Sequence, residues 1–327
     1  MLGQVSLLVM LVKLVDHVPA PPPPAKRGRG RPKVYADRLC LQALVIMIVR
    51  HLHTVHELLT VLDQPTPEMH LLRAVLTEQG TFPCRRTWER RLAALPDTVP
   101  AQIGCLGRHV VALIQPWVDC GRAVAIDSTV LRARGGVWHK QDRDAGVVPH
   151  SSIDTEAHWT KSGWHGWVYG WKLHIVATVA HVWIPLAAEL TPANAADNAV
   201  APDLVCRIPA AVRFVLGDKH SNDPEVRELC AEDERCLLTT HAGRYPHTDE
   251  GVEVRRVFHK LRSTAIENFN EQFNGIFDGH RQVPTKGLTN TRRFALGAIF
   301  VYQLTLWYRH EHHMDLRVGL KPFLKAA

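Results

Sequence analysis

From residue 120 onward, short apolar runs of strand length follow one another: RAVAID (122–127), GWKLHIVATVA (170–180), HVWIPLAAEL (181–190), VRFVLGD (212–218) and RCLLTT (235–240). Helical stretches, PDLVCRI and DPEVRELCAED, separate the later ones. Apolar runs this short, bounded by turn residues, are expected to be buried strands. Strands alternating with helices predict a mixed α/β sheet. The second and third runs are close enough to pair as a hairpin or meander, and no internal repeat is visible.

Upstream, residues 36–118 have a helical pattern. ADRLCLQALVIMIVRHLHTVHELLTVL is apolar on most sides and predicts a central helix that breaks at Asp63 to Pro67. HLLRAVLTEQG, RRTWERRLAAL and IGCLGRHVVALIQPW predict three more helices, set apart by Pro or Gly. The third helix gathers Arg85, Arg86, Arg90 and Arg91 around Trp88. That pattern suits either a solvated basic face or a helix touching DNA phosphate. Residues 1–18 lack the charged start and the small-residue cleavage site of a signal peptide, contain Lys13 and Asp16, and are too short to span a bilayer. They predict a packing helix, and the chain is expected in the cytoplasm with no membrane partner.

Charge is concentrated in one place. Residues 26–38 (KRGRGRPKVYADR) hold a local +5 of the chain's net +7, directly after the polyproline spacer PAPPPPA. The 327 residues suggest about two domains at ~150 residues each. With 46% hydrophobic and 22% charged residues, the composition excludes wholesale disorder or a collagen-like chain. Seven cysteines, an odd number without a CxxC pair, argue against a disulfide framework or cysteine-based zinc site and fit a reducing compartment.

Two aspartates share one context. Asp127 closes the run AVAID and Asp218 closes FVLGD. An acid at the C-terminal end of a buried strand sits at the sheet edge, where α/β sites form. It is also a common helix N-cap or turn residue. A third element is RSTAIENFNEQFNGIF (262–277). There Ile266, Phe269, Phe273 and Ile276 form an apolar stripe, while Glu267, Asn270, Glu271 and Asn274 share a polar one. The insert 131–169 is rich in Trp and His (Trp138, His139, His150, His158, Trp159, Trp164, His165, Trp167). These suit core packing or a DNA-facing loop with stacking aromatics. No spacing among the histidines matches a standard zinc set.

Asp at the end of one strand, Asp at the end of a later strand and Glu on a following helix resembles the DDE triad of bacterial insertion-sequence transposases. AIDST (125–129), YGWKLHIVAT (169–178), LTPANAADN (190–198), VLGDKHSND (215–223) and LRSTAIENFNEQF (261–273) resemble the family's segments in the same order. The resemblance covers roughly residues 120–310. It implies an RNase H-like mixed sheet flanked by helices, here preceded by an all-α N-terminal domain. The expected division is an N-terminal helix, Pro-rich linker and basic arm (1–35), a helical DNA-binding domain (36–119), the catalytic domain (120–310) and a tail (311–327). It also implies cut-and-paste DNA transposition, with Asp127, Asp218 and Glu267 as catalytic acids holding Mg²⁺ or Mn²⁺, two ions in all. Glu271 remains the alternative third acid. Implied partners are duplex DNA, both element terminal repeats and target, and a second copy in a synaptic homodimer. Implied location is the bacterial cytoplasm, at the nucleoid when DNA-bound. A nuclease that cuts without joining and a DNA-binding protein with lost chemistry remain alternatives.

Two positions depart from the family pattern. Asn274 stands where relatives carry a basic residue after the Glu, and Arg262 precedes Glu267 by five residues where relatives often space four. Phosphate grip is then expected from Arg262, Lys260, Arg281 or Lys286. The arm segment RGRGRPK (27–33) resembles an AT-hook, implying that Arg29 and Arg31 enter an A·T-rich minor groove; unspecific phosphate binding by the same basic segment is the alternative. Arg85, Arg86 and Arg90 are the further candidate DNA contacts.

Overall fold

The computed structural model describes residues 6–22, 34–116, 120–163, 166–179, 181–218, 221–239, 258, 260–262, 269–270, 272–273, 282–317 and 320–325. Glu267, Glu271, Arg29, Arg31, Asn274 and Arg281 lie outside these residues.

Six strands form one sheet. They are β1 (Ala123–Arg132), β2 (His158–Ser162), β3 (Gly166–Thr178), β4 (Pro185–Pro192), β5 (Phe214–Gly217) and β6 (Cys236–Thr239). β1 pairs antiparallel with β3 on one edge and parallel with β5 on the other, and β5 pairs parallel with β6. Along the far edge of β3, β2 pairs with its first residues and β4 with the later ones, both antiparallel. The order β4-β3-β1-β5-β6, antiparallel then parallel, is the RNase H-like sheet expected from the resemblance. The parallel half is short and buried past its first residues, as the apolar run VLG suggests.

Helices among the described residues include α1 (Leu7–Leu14), α2 (Asp37–Val49), α3 (Val55–Leu62), α4 (Pro67–Val75), α5 (Arg85–Ala94), α6 (Val99–Ile114), α7 (Lys140–Asp144), α8 (Asp197–Val205), α9 (Pro224–Glu232), α10 (Leu288–Glu311) and α11 (Leu320–Lys325). The N-terminal segment is the packing helix expected. Its Leu8, Val9, Leu11 and Val12 are fully buried, and α1 lies against α2, α4 and α10.

The long central helix predicted over residues 36–62 is two helices. α2 ends at Val49, His51 takes a left-handed φ of 52°, and α3 begins behind a capping box. The Thr54 side chain accepts from the Glu57 N–H, while the Glu57 carboxylate accepts from Thr54 N–H at 3.1 Å and His53 N–H at 2.6 Å. The S/T-x-x-E signal of a helix start lies inside the apolar run, where hydrophobicity hid it.

α10 is the pillar of the molecule, buried on nearly every side. It contacts α6 and β4 on the sheet side and α1, α2 and α5 on the helical side. Gln303 donates from Nε2 to the carbonyls of Ile103 (2.8 Å) and Pro185 (2.7 Å), joining α10, α6 and β4. Gly107 permits this approach, because a Cβ there would press into the Pro185 carbonyl and Gln303 Nε2. Arg292 adds a polar tie with a two-pronged contact to Glu189 of β4 (2.7 and 3.0 Å). One hydrophobic cluster therefore runs without interruption from Leu8 to Leu320.

The Trp- and His-rich insert contains α7 and β2, neither legible in the sequence. Two of its tryptophans are structural. Trp138 Nε1 donates to Val147 O and Trp159 Nε1 to Trp138 O, both at 2.8 Å. Trp167 is the exception at 68% exposed, and Trp164 and His165 lie outside the described residues. The insert is fastened to the start of α10. Asp154 accepts from Gly287 N–H and Glu156 from Leu288 N–H, each at 2.9 Å.

Candidate active site

β1 continues to Arg132, so Asp127 lies mid-strand and not at a strand end. What ends there is the parallel ladder. Ala125 is paired with Leu216, the last register pair between β1 and β5, and each aspartate lies two residues further along the chain, Asp127 within β1 and Asp218 just past the end of β5. Asp127 and Asp218 are thus brought side by side where β1 and β5 part. The opened ladder leaves their carboxylates in a cleft of about 280 Å³, lined also by Ser128, His174, Asp197, Ala201, Leu204 and Ser221.

Each acid is held locally. Asp127 Oδ1 accepts from the Ser128 N–H at 2.8 Å. Asp218 Oδ1 accepts from Ser221 N–H at 3.1 Å and Ser221 Oγ at 3.3 Å. Gly217 makes that turn possible, since a Cβ there would meet Ser221 Cβ at 2.5 Å.

Burial pushes the Asp127 carboxyl up to about 6; the Ser128 N–H and Arg262 work against the shift, and the negative charges of Asp218 and Asp197 add to it. About a third of its side chain remains open (31%), so water and small ions reach it. Arg262 Nη1 stands 3.5 Å from Asp127 Oδ2. Among the described basic residues proposed for phosphate grip, Arg262 is the one the fold brings to the acids. Lys260 is exposed, and Lys286 donates to the Ser151 carbonyl at 2.7 Å, tying the insert to the loop before α10.

Glu267, the third acid expected from the sequence, is flanked in the chain by described residues. Arg262 precedes it at the Asp127 carboxylate. Phe269 and Phe273 follow, fully buried, with rings 5.6 Å apart and Phe269 edge-on to Tyr302 of α10 at 5.2 Å. The apolar stripe read from the sequence is buried at both of these described positions.

The site holds a group that residue-by-residue reading missed. Asp197, the first residue of α8, lines the same cleft. Its Oδ1 lies 3.2 Å from His174 Nδ1 and 3.4 Å from Lys172 Nζ. Burial opposes ionisation of Asp197, but His174, Lys172 and Ser128 outweigh it and hold the carboxyl down at about 2. His174 Nε2 is 2.9 Å from the Thr191 hydroxyl, and Lys172 also donates to Ala195 O at 2.8 Å. Lys172 and His174 alternate on β3, and Asp197 is the last residue but one of the LTPANAADN stretch. The signal was a K-x-H pair on a strand beside Asp127's, with an acid just after the next strand.

Elsewhere, Arg85 is paired with Glu89 (2.7 Å), Arg91 with Asp37 and the Tyr35 carbonyl, and Trp88 is buried beneath them. Arg86 and Arg90 are exposed on the outer face of α5.

Hard carboxylate oxygens from two strands, repelling each other in a cleft open to solvent, suit a divalent cation. Among the described residues no group of three His, Cys, Asp or Glu side chains is placed to hold a metal. No helix among the described residues is long and apolar enough to cross a membrane.

No curated protein matches the chain. Two solved structures are similar at 13% identity: a Mos1 transposase paired-end complex with the left transposon end, over 88% of this chain and 80% of that one (TM-score 0.23), and a pre-cleavage Mos1 transpososome, over 89% and 82% (TM-score 0.19). At such scores the fold assignment rests on the chain's own strand order. The family model for the transposase DDE domain matches residues 119–304, which contain the whole sheet, both cleft aspartates and most of α10. The chain belongs to the transposase DDE domain family, whose members are phosphoryl-transfer enzymes.

Proposed function

We propose that the protein moves an insertion sequence by cut-and-paste transposition, with Asp127, Asp218 and Glu267 as its catalytic acids. The observation that carries this reading is the β1–β5 register, which sets Asp127 beside Asp218 at the open end of the parallel ladder. Mg²⁺ or Mn²⁺, two ions in the full reading, would supply Lewis-acid activation and charge neutralisation for in-line attack on phosphate. Asp127 and Asp218 would hold that charge, and Glu267 would complete the set.

The chain's own residues set up the rest. Ser128 and Ser221 fix the rotamers of the two aspartates. Arg262 neutralises Asp127 and is positioned to pass its charge to a DNA phosphate when the carboxylate takes a cation. Arg86 and Arg90, with Arg85, offer phosphate contacts on the helical region 36–119. Arg29 and Arg31 supply contacts from the arm, and Lys286 supplies one from the loop before α10. Under this reading the partner is duplex DNA, element ends and target, held by a synaptic homodimer in the bacterial cytoplasm.

The test is cleavage of the element's own end duplex in Mg²⁺ or Mn²⁺, followed by joining to a target plasmid. Wild type is expected to cut and join. Asp127→Asn, Asp218→Asn and Glu267→Gln are each expected to lose at least a hundredfold in cutting while still binding the ends, and Glu271→Gln to keep most activity. Tight end binding without cutting by wild type, in either metal, would reject the enzymatic reading. Cutting without joined product would reduce it to a nuclease.

A further inference from the structure

Arg293 lies on α10, one turn in from the helix start, and is 7% exposed. It makes no hydrogen bond and no ion pair among the described residues. Its neighbour Arg292 is the contrast, bound to Glu189 and Asp97. The acids nearest the start of α10 are already engaged, Asp154 on Gly287 N–H and Glu156 on Leu288 N–H. A guanidinium carries five donors and stays charged in any ordinary environment. Buried without a counter-charge, such a group costs several kcal/mol. Burial accordingly holds the Arg293 pKa below its usual value.

Arg293 also lines a second cleft, well separated in sequence from the acid pair. Its walls are Leu44, Met47 and Ile48 from α2, Leu52 and His53 from the turn after it, Thr285 from the loop before α10, and Phe294. The cleft spans about 200 Å³, including the part open to solvent at its mouth. Its one placed hydroxyl, Thr285 Oγ1, lies 3.2 Å from Thr291 Oγ1 and can turn toward an occupant. Largely apolar walls lower the local dielectric around Arg293 and strengthen its attraction for an anion. The planar fork of Arg matches two oxygens of a tetrahedral oxyanion.

We propose that Arg293 is the floor of an oxyanion site that takes a phosphate group, set where α2, the loop before α10 and α10 meet. The phosphate comes from a nucleic-acid backbone or from free phosphate. Only the first source rests on the transposase reading, and the site itself stands without it.

The experiment is thermal melting of the full chain in phosphate against chloride at matched ionic strength, comparing wild type, Arg293→Met and Arg293→Lys. Wild type should gain several degrees, saturably, in phosphate. Arg293→Met should melt no lower than wild type in chloride, since it removes an uncompensated buried charge, and should show no specific phosphate gain. Arg293→Lys should keep a reduced gain. Should Arg293→Met fail to fold, phosphorus NMR line broadening on wild type and Arg293→Lys reads the same site. Equal phosphate responses in wild type and Arg293→Met, or no phosphate binding to wild type, would overturn the proposal. A DNA arm assigns the source. With a backbone phosphate in the site, Arg293→Met weakens duplex binding and lowers the salt slope by about one. Unchanged duplex binding alongside a lost phosphate response assigns the site to free phosphate. No arm needs cleavage, so an inactive enzyme leaves this result readable.

Discussion

At the scale of single residues, the cleft sets two carboxylates against each other. Asp127 is raised from 3.8 to about 6, so the folded chain favours its protonated form. The stability this gives is complete below pH 3.8 and is lost as pH rises through 6. A shift of that size is worth about 3 kcal/mol at most, and solvent at the open third of the side chain brings it to on the order of 1–2 kcal/mol. Asp197 runs the other way. Lowered to about 2, it stabilises the fold above pH 3.8 and loses that as pH falls toward 2. Without divalent metal, Asp127→Asn is therefore expected to raise Tm at pH 7.5, with the gain fading below pH 4. Asp197→Asn should lower Tm at pH 7.5 and approach wild type near pH 2. Mn²⁺ should raise the wild-type Tm and leave Asp127→Asn unmoved. Melting curves across pH check all three, and a wild type indifferent to Mn²⁺ would remove Asp127 from the ligand set.

At the scale of elements, the contact between α6, β4 and α10 turns on one glycine and one glutamine. Gly107 lets α6 approach the Pro185 carbonyl, and Gln303 ties both to α10 through two hydrogen bonds. Gln303→Leu would leave the Ile103 and Pro185 carbonyls buried without that donor, at a cost of about 1–3 kcal/mol. Gly107→Val would force the elements apart and cost more, by overpacking. Urea denaturation of the two variants measures both. A Gln303→Leu protein as stable as wild type would show that the carbonyls find other donors. Along α2 and α3 the same lesson appears in reverse. The break at residues 50–54 is local, written in Thr54 and Glu57, and only the surrounding hydrophobicity concealed it.

At the scale of the molecule, the change from helical to strand pattern near residue 120 is not a gap in packing. α1, α2, α5 and α6 surround α10, which in turn covers β4, and one hydrophobic cluster spans both regions. The chain is expected to unfold as one cooperative unit. A fragment beginning at residue 120 would expose the faces of β4 and α10 that α6 and α2 cover, and should be molten or aggregate. Coincident melting by far- and near-ultraviolet circular dichroism tests the first expectation. Two separated transitions would show the helical region to be independent.

The sequence alone determined the α/β class, most of the strands and helices, and the two aspartates, because these depend on local hydrophobic period and on chemistry written within a few residues. AVAID and FVLGD are legible as strands ending in acids wherever they occur. Tertiary structure alone decided that the two acids are neighbours, since this depends on the register of strands about ninety residues apart. Only packing could reveal Asp197 in the cleft and paired with Lys172 and His174, the joining of insert to α10 through Asp154 and Glu156, and Arg293 without a partner among the described residues beside the well-paired Arg292. Two adjacent arginines look alike in sequence. One meets a carboxylate and the other a void, because the helix turns them by 100° toward different neighbours.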